Sequence, residues 1–327
     1  MTTEKISKNI TGLTVLVTGG AGFIGSNLVE SLLKLPLEKV IVFDDLSTGF
    51  MSNIEEFKSN SKFSFIQDSI TDFEACKKAF ENVDIVYHLA ALGSVPRSIN
   101  NPVATNNVNA GGFVNVLTAA KDAGVKRIVY SSSSSVYGND QTLPKIESKI
   151  GKALSPYAVS KRTNELYADV FSDLYDIDVV GLRYFNVFGP KQSLTGPYSA
   201  VIPIFVSNLL KGDSCFINGD GKISRDFTFV QNVVHANLLA SLSTFEKGAK
   251  RLFNVAMGDQ ISLTDLYEAI ESQIHSGLEV AYNPPRVGDI SSSLASIELA
   301  KDQLGYKPQL RFEEGLKITI DWYRSNT

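Results

Sequence analysis

The sequence is poor in the residues that build crosslinks and metal sites. Its 327 residues include only two cysteines, Cys76 and Cys215, and three histidines, His88, His235 and His275. The cysteines lie far apart and form no Cys-x-x-Cys pair, and the histidines are well separated. A disulfide framework, a redox motif and a metal site are therefore not expected. No apolar stretch approaches the ~20 residues that span a bilayer. The segment Met1 to Thr11 is polar and lacks the apolar core of a secretory signal. Basic runs are missing too, with 31 Lys and Arg against 35 Asp and Glu and a formal net charge of −4. Neither a nucleic acid nor an anionic membrane surface is an expected partner. The expected setting is a reducing cytoplasm.

What is present begins with glycine at a spacing of three. The stretch Val17-Thr18-Gly19-Gly20-Ala21-Gly22-Phe23-Ile24-Gly25 follows an apolar run, Leu13 to Val17, that reads as a buried strand. It leads into Ile24 to Lys34, whose apolar spacing is helical. Such a turn lets the backbone approach a ligand closely. The helix start presents free N–H groups and a positive dipole end to a pyrophosphate. The strand–turn–helix context separates G-x-x-G-x-x-G here from an ordinary glycine-rich turn. The next apolar run, Lys39 to Phe43, ends at Asp44-Asp45. An acid at that point accepts hydrogen bonds from the adenosine ribose and repels the extra phosphate of NADP. No arginine follows immediately, so NAD is the expected cofactor.

From residue 13 to about 185, strand-like and helical patterns alternate. Strands are expected at 13–18, 39–43, 63–66, 84–89, 126–131 and 177–183, with helices at 23–34, 71–81, 103–122 and 156–175. This alternation implies an α/β fold, a doubly wound parallel sheet of Rossmann type. Beyond 186 glycine and proline loosen the pattern, and helices are expected at 201–211, 230–246, 263–275, 297–304 and 312–325. That part reads as a smaller α/β substrate lobe over the carboxyl edge of the sheet.

Two features suggest chemistry at that edge. Tyr157-Ala158-Val159-Ser160-Lys161 sits near a helix start, and residues four apart share a helix face. Tyr-x-x-x-Lys alone is a common surface pattern. For the phenol to act as a base near neutrality, its pKa of about 10 must fall by roughly 3 units. A nearby ammonium and a positive nicotinamide ring are the expected causes. The serine run Ser131 to Ser135 follows the apolar segment 126–130, where a strand would end at the cofactor cleft. A hydroxyl there can hydrogen-bond the oxygen that Tyr157 deprotonates.

These ordered motifs make the chain similar to the extended short-chain dehydrogenases/reductases, and among them to nucleotide-sugar 4-epimerases. The resemblance spans about residues 12–325. It rests on Thr18 to Gly25, His88-Leu89-Ala90-Ala91, Ser133 to Gly138, Tyr157 to Lys161, Arg183 to Pro190 and Pro285-Arg286-Val287-Gly288-Asp289. Ala91 to Ile99 and Leu154 to Val159 resemble the subgroup that acts on N-acetylated UDP-hexosamines for bacterial surface polysaccharides.

The resemblance implies that Ser133 and Tyr157 flank the sugar's C4 hydroxyl, with Ser135 assisting and Lys161 on the nicotinamide ribose. It implies a cofactor site of Gly19, Gly22, Phe23, Ile24, Gly25, Asp44, Asp45, Ser47, Thr48, Gly49, Asp68, Ile70, Leu89, Ala90, Ala91, Asn109 and Tyr184, together with Tyr157 and Lys161. For a UDP-sugar it implies Ser94, Ser133, Asn186, Val201, Arg225, Arg286, Asp289 and Ser293. Arg225 and Arg286 would clamp the diphosphate, Asp289 would hold the uridine ribose, and the small Ser293 would leave room for an N-acetyl group. Residues 12–186, with 228–258 returning, would form the NAD-binding domain. Residues 187–227 and 259–327 would form the nucleotide-sugar lobe. A homodimer through helices 103–122 and 156–175 is implied as well, where Val114, Leu117, Tyr167 and Phe171 sit.

Two positions depart from the family pattern. Gln67-Asp68-Ser69-Ile70 replaces Gly-Asp after the third strand, which leaves open whether Asp68 or Ser69 meets adenine. Ser296 stands where relatives carry Asp, with an expected effect on helix capping. Related dehydratases and decarboxylases need an acid beside the catalytic serine, where this chain has Ser134 and Ser135. A UDP-glucose or UDP-glucuronate 4-epimerase is the other epimerase reading. A non-catalytic NAD-binding scaffold would have no need of Ser133, Tyr157 and Lys161 together.

Overall fold

The structure is a computed structural model that describes residues 3–194, 200–246, 248–249, 251–284 and 292–326. Its strands are β1 (Thr14–Thr18), β2 (Lys39–Phe43), β3 (Phe63–Ile66), β4 (Ile85–His88), β5 (Arg127–Ser133), β6 (Asp178–Tyr184), β7 (Val187–Phe188), β8 (Phe216–Asn218), β9 (Ser224–Arg225), β10 (Thr228–Phe229), β11 (Leu252–Val255), β12 (Ile261–Ser262) and β13 (Ala281–Asn283). Its helices are α1 (Thr3–Ile10), α2 (Phe23–Leu33), α3 (Phe73–Ala79), α4 (Val95–Asn100), α5 (Pro102–Asn106), α6 (Gly112–Asp122), α7 (Pro156–Leu174), α8 (Val201–Lys211), α9 (Val230–Leu242), α10 (Leu263–Ile274), α11 (Glu298–Leu304) and α12 (Phe312–Asn326).

Seven strands form one parallel sheet in the order β11-β6-β5-β4-β1-β2-β3. The chain leaves β1 in one direction and resumes at β4 in the other. The carboxyl ends part at this switch and open a crevice. Strand side chains alternate between faces, so Val15 and Val17 enter the core on one side and Leu16 the core on the other. With both faces covered, the strands read as continuous apolar runs. A separate core of Phe188, Phe205, Phe229, Leu266, Phe312 and Ile320 lies under α8, α10 and α12.

The helices depart from expectation where tertiary packing overrides local pattern. Residues 102–122 form one rod, as the spacing over 103–122 implied, but a π turn at Asn107–Gly111 interrupts it. Helix α4 was not anticipated; the Ser94 hydroxyl accepts the Arg97 N–H to start it. The helix expected over 230–246 stops at Leu242, and Phe245 stacks on Phe253 at 6.0 Å. Strand β11, absent from the sequence reading, pairs with β6 at the sheet edge. The polar start of the chain hides an amphipathic helix, α1, whose Ile6 and Ile10 enter the core one turn apart. Ser296 caps no helix: α11 starts after Ile297, and the Ser296 N–H donates to the Lys145 carbonyl at 2.9 Å.

One polar contact fastens α7 to the sheet. The Glu165 carboxylate, 1% exposed, takes Arg183 Nε at 2.8 Å and Nη2 at 2.9 Å. It also accepts from the Ser132 hydroxyl at 2.6 Å and Arg162 Nη1 at 2.9 Å. The Arg183 guanidinium holds this carboxyl below its ordinary range against the effect of burial. Removing one member of a buried pair strands the other charge, so Glu165→Ala is expected to cost about 3–5 kcal/mol of stability in urea unfolding. A loss below about 1 kcal/mol, the range of surface pairs, would contradict this arrangement.

Candidate active site

The glycine turn is built around close backbone contact. Gly19 has φ +70°, and a Cβ there would lie 2.5 Å from the Ala90 nitrogen at the end of β4. A Cβ on Gly25 would come within 2.1 Å of the Gly19 carbonyl, so α2 is pressed against the turn. Gly22 begins that helix without a capping side chain. Its first-turn N–H groups are thereby left for an anionic ligand.

Asp44 follows β2 and lines the same cleft. Its carboxylate accepts the Ala21 N–H at 2.9 Å and the Leu46 N–H at 2.8 Å. Burial raises this carboxyl, and those two N–H groups oppose the rise. Asp44 thus ties β2 to the glycine turn while facing the cleft. Asp45 accepts from Ser47 N at 2.9 Å and from the Ser69 hydroxyl at 3.1 Å.

The cleft has a volume of about 500 Å³. Gly19, Gly22, Phe23, Ile24 and Gly25 of the glycine turn line it, as do Asp44, Asp45, Ser47, Thr48, Gly49, Asp68 and Ile70. Leu89, Ala90, Ala91, Tyr157, Lys161 and Tyr184 line it as well. Lys161 is the only cation among the described lining residues. A 2′-phosphate would meet two carboxylates, so these residues fit NAD better than NADP. Asp68, and not Ser69, reaches the wall.

Asn109 does not line the cleft. It is buried in the π turn, where its amide accepts Leu92 N–H at 2.8 Å and donates to the Leu92 carbonyl at 3.2 Å. It also donates to Ser160 at 3.1 Å. Its place is to fasten the loop after β4 to α7.

Ser133 ends β5 and Tyr157 opens α7, whose N-terminus is capped by the Ser155 hydroxyl. The Ser133 hydroxyl accepts the Ser135 N–H at 3.2 Å and lines the cleft together with the Tyr157 phenol. Burial raises that phenol above its ordinary value and the Ser133 hydroxyl opposes the rise. The drop expected from the sequence is therefore not produced by the chain alone. The Lys161 ammonium lies 6.0 Å from the Tyr157 ring centre and donates to the Ser131 carbonyl at 2.7 Å. Burial pulls Lys161 down to about 8 and Glu165 opposes the fall, so the cation survives at neutral pH. Ser135 does not reach the wall, and its buried hydroxyl has no partner among the described residues. Ser134 does line the cleft.

A second cleft, of about 580 Å³, opens between β7, α8 and the β8–β9 region. Val201 and Arg225 line it, and Asn186 and Val187 line both clefts. Asn186 has φ +31°, a strained value for a non-glycine residue at such a junction. Its Nδ2 donates to the Asp226 carbonyl at 3.0 Å and to the Ser293 hydroxyl at 3.3 Å. Ser293 therefore stands behind Asn186 and off the wall. Ser94 is likewise off the wall as the cap of α4. Arg286 and Asp289 lie outside the described residues. The sequence reading missed Phe216, Asn218 and Asn283 in this cleft. Their short paired strands, β8 and β13, carry no recognisable motif.

Comparison with known proteins agrees with this geometry. Residues 15–256 match the NAD dependent epimerase/dehydratase family. The chain is 36% identical to UDP-glucose 4-epimerase of Mycolicibacterium smegmatis, over 96% of this chain and 100% of that one. Among solved structures it resembles a UDP-N-acetylglucosamine 4-epimerase from Methanobrevibacter ruminantium in complex with UDP-N-acetylmuramic acid. That pair has 39% identity and a TM-score of 0.91, covering 97% of this chain and 100% of the other. It also resembles the Thermus thermophilus UDP-glucose 4-epimerase complex with NAD, at 33% identity and a TM-score of 0.85, covering 96% and 100%. The chain belongs to the NAD dependent epimerase/dehydratase family, and NAD is its cofactor.

Proposed function

We propose that this enzyme is a UDP-N-acetylhexosamine 4-epimerase. It interconverts UDP-N-acetylglucosamine and UDP-N-acetylgalactosamine, or their uronic acids, for surface polysaccharide precursors. The observation that carries the reading is that Ser133, Tyr157 and Lys161 line one cleft, which shares Asn186 and Val187 with a second cleft. One ligand can reach across both, its sugar at Tyr157 and its nucleotide beside Val201 and Arg225. We assign residues 12–186 and 228–258 to cofactor binding and 187–227 and 259–327 to the nucleotide sugar. The separate core under α8, α10 and α12 supports that division, with Phe229 and Val230 of the returning segment reaching into it. Two free, buried cysteines suit the cytoplasm.

The mechanism follows from the side chains. Tyr157 removes the proton of the sugar's 4-hydroxyl, and the Ser133 hydroxyl holds that oxygen. NAD, held by Gly19, Gly22, Asp44 and Lys161, would supply a hydride acceptor and donor for C4 of the sugar. The sugar passes through a 4-keto form still tethered by its diphosphate. Turning about that tether presents the opposite face, and Tyr157 returns the proton. Lys161 favours the phenolate through space. Arg225 meets the phosphates with a rigid, permanently charged fork. Because Ser134 and Ser135 are the residues beside Ser133, no acid is placed to drive a dehydratase elimination.

Tyr157→Phe is expected to keep the fold and bound NAD while lowering kcat by a factor of about 10² to 10⁴. Turnover near wild type would remove Tyr157 from the chemistry. For substrate choice, kcat/KM is expected to be at least about tenfold higher for UDP-N-acetylglucosamine than for UDP-glucose, the worth of a well-filled pocket. A preference for UDP-glucose would instead match the name of the Mycolicibacterium relative.

We also propose a homodimer. Val159, Leu166, Val170 and Leu174 leave one face of α7 apolar and at least half exposed, and Ile99 and Val103 on the adjoining helices extend it. Leu117 and Phe171 pack into the core instead. A stripe of this kind marks an interface. Sedimentation is expected to give a dimer for the wild type and a monomer for Leu166→Glu. A monomeric wild type at micromolar concentration would contradict it.

A further inference from the structure

Asp226 has no part in the chemistry above, yet it is 0% exposed and stands between Arg225 and Phe227, which line the second cleft. Its Oδ1 accepts the Met257 N–H at 2.9 Å, and its Oδ2 accepts the Gly258 N–H at 3.1 Å and the Ala295 N–H at 3.1 Å. Its own backbone is engaged from the other side. The carbonyl accepts from Asn186 Nδ2 at 3.0 Å, and the N–H reaches the Ser293 hydroxyl at 3.4 Å. Strand β9, which leads into Asp226, pairs with β12 and bridges Ser292.

We propose that Asp226 is a positioning residue for the nucleotide sugar: its carboxylate clasps the 257–258 turn and Ala295 around β9, and thereby sets Arg225 and Asn186 toward the ligand. The inference rests on the reading that a UDP-sugar fills the second cleft. Two remote stretches of chain, 257–258 and Ala295, are held by this one side chain, and the backbone carbonyl of the same residue holds Asn186, which lines both clefts. A neutral replacement cannot reproduce the arrangement. In Asp226→Asn the amide N–H₂ would oppose either the lone Met257 donor or the paired Gly258 and Ala295 donors.

The carboxylate is also poorly matched to its burial. Desolvation pushes it up to about 6, three N–H groups oppose the rise, and Asp259 adds to it. The ionisable groups facing it are Asp259, on the turn it clasps, and the Tyr306 phenol, which donates to the Ala256 carbonyl at 3.0 Å. Neither is a cation. Since the folded chain binds this proton more tightly than the unfolded chain does, the group adds stability as pH falls through about 6. The charged form costs the fold stability, as a group kept for positioning would. Protonation removes one acceptor from the clasp, so ligand binding and stability move in opposite directions with pH at this residue.

The test measures UDP-N-acetylglucosamine and UDP-glucose binding by calorimetry, and KM and kcat, on NAD-loaded protein. The sugar nucleotides' phosphates do not titrate between pH 5 and 8, so pH reports on the protein. Asp226→Asn is expected to raise Kd and KM at pH 7.5 by about tenfold, with kcat changed less than about threefold and NAD content unchanged, the signature of lost ground-state binding. Wild-type affinity is expected to fall by about tenfold from pH 7 to pH 5, as a group titrating near 6 requires. That second arm decides the matter if the variant does not fold. Unchanged affinity in a folded variant, equal loss of kcat and NAD, or a flat wild-type titration would overturn the proposal. Failure of the wild type to bind either sugar nucleotide at pH 7.5 would overturn the function reading itself.

Discussion

Glu165 lies one helical turn beyond Lys161 and two beyond Tyr157 on α7, and its carboxylate fixes where that helix stands against the sheet. Ser132 donates to it from β5 and Arg183 from β6. Ser133 is the next residue on β5, and Tyr184 the next on β6. The same carboxylate therefore sets the spacing between the hydroxyl and the phenol and orients the strand beside the cofactor cleft. It also favours the ammonium of Lys161 against burial. A buried ion pair is weak evidence for stability. In this fold its use is registry, since β5 and α7, which bear the reacting groups, must meet at the cofactor cleft beside β6.

The sheet and most of its helices were legible because their signals are local. β1, β2 and β3 fall within a residue of the apolar runs, and α8 matches its expected span, 201–211. What could not be read depends on contacts distant in sequence. The π turn places Asn109 against Leu92 and Ser160, which no periodicity announces. Strand β11 is short and gains its partner only when β6 is in place. Helix α1 has a polar composition and is held by two isoleucines against α9.

The site divides the same way. The glycine turn, Asp44 and the Tyr157–Lys161 pair announce themselves through fixed spacing near strand ends. Their electrostatics do not. The sequence suggested a phenol lowered by its lysine together with the nicotinamide ring; in the chain alone burial raises Tyr157, and the Lys161 ammonium donates to Ser131. On the sugar side, the resemblance placed Ser293 on the wall, its small side chain leaving room for an N-acetyl group. The fold uses its hydroxyl to hold Asn186 and the Asp226 N–H. Asp226 itself looked like an ordinary neighbour of Arg225, since the three N–H groups it accepts come from residues 257, 258 and 295.

The central claim is that hydrogen taken from C4 of the sugar returns to C4 within one bound complex. The direct measurement is to incubate purified, NAD-loaded enzyme, with no added cofactor, with UDP-N-acetylglucosamine deuterated at C4, and to follow the products by NMR. The account predicts formation of the C4 epimer with deuterium retained at C4 and no lasting absorbance of reduced NAD. Lasting reduction of the bound NAD without formation of the epimer, or loss of the deuterium to solvent, would contradict it.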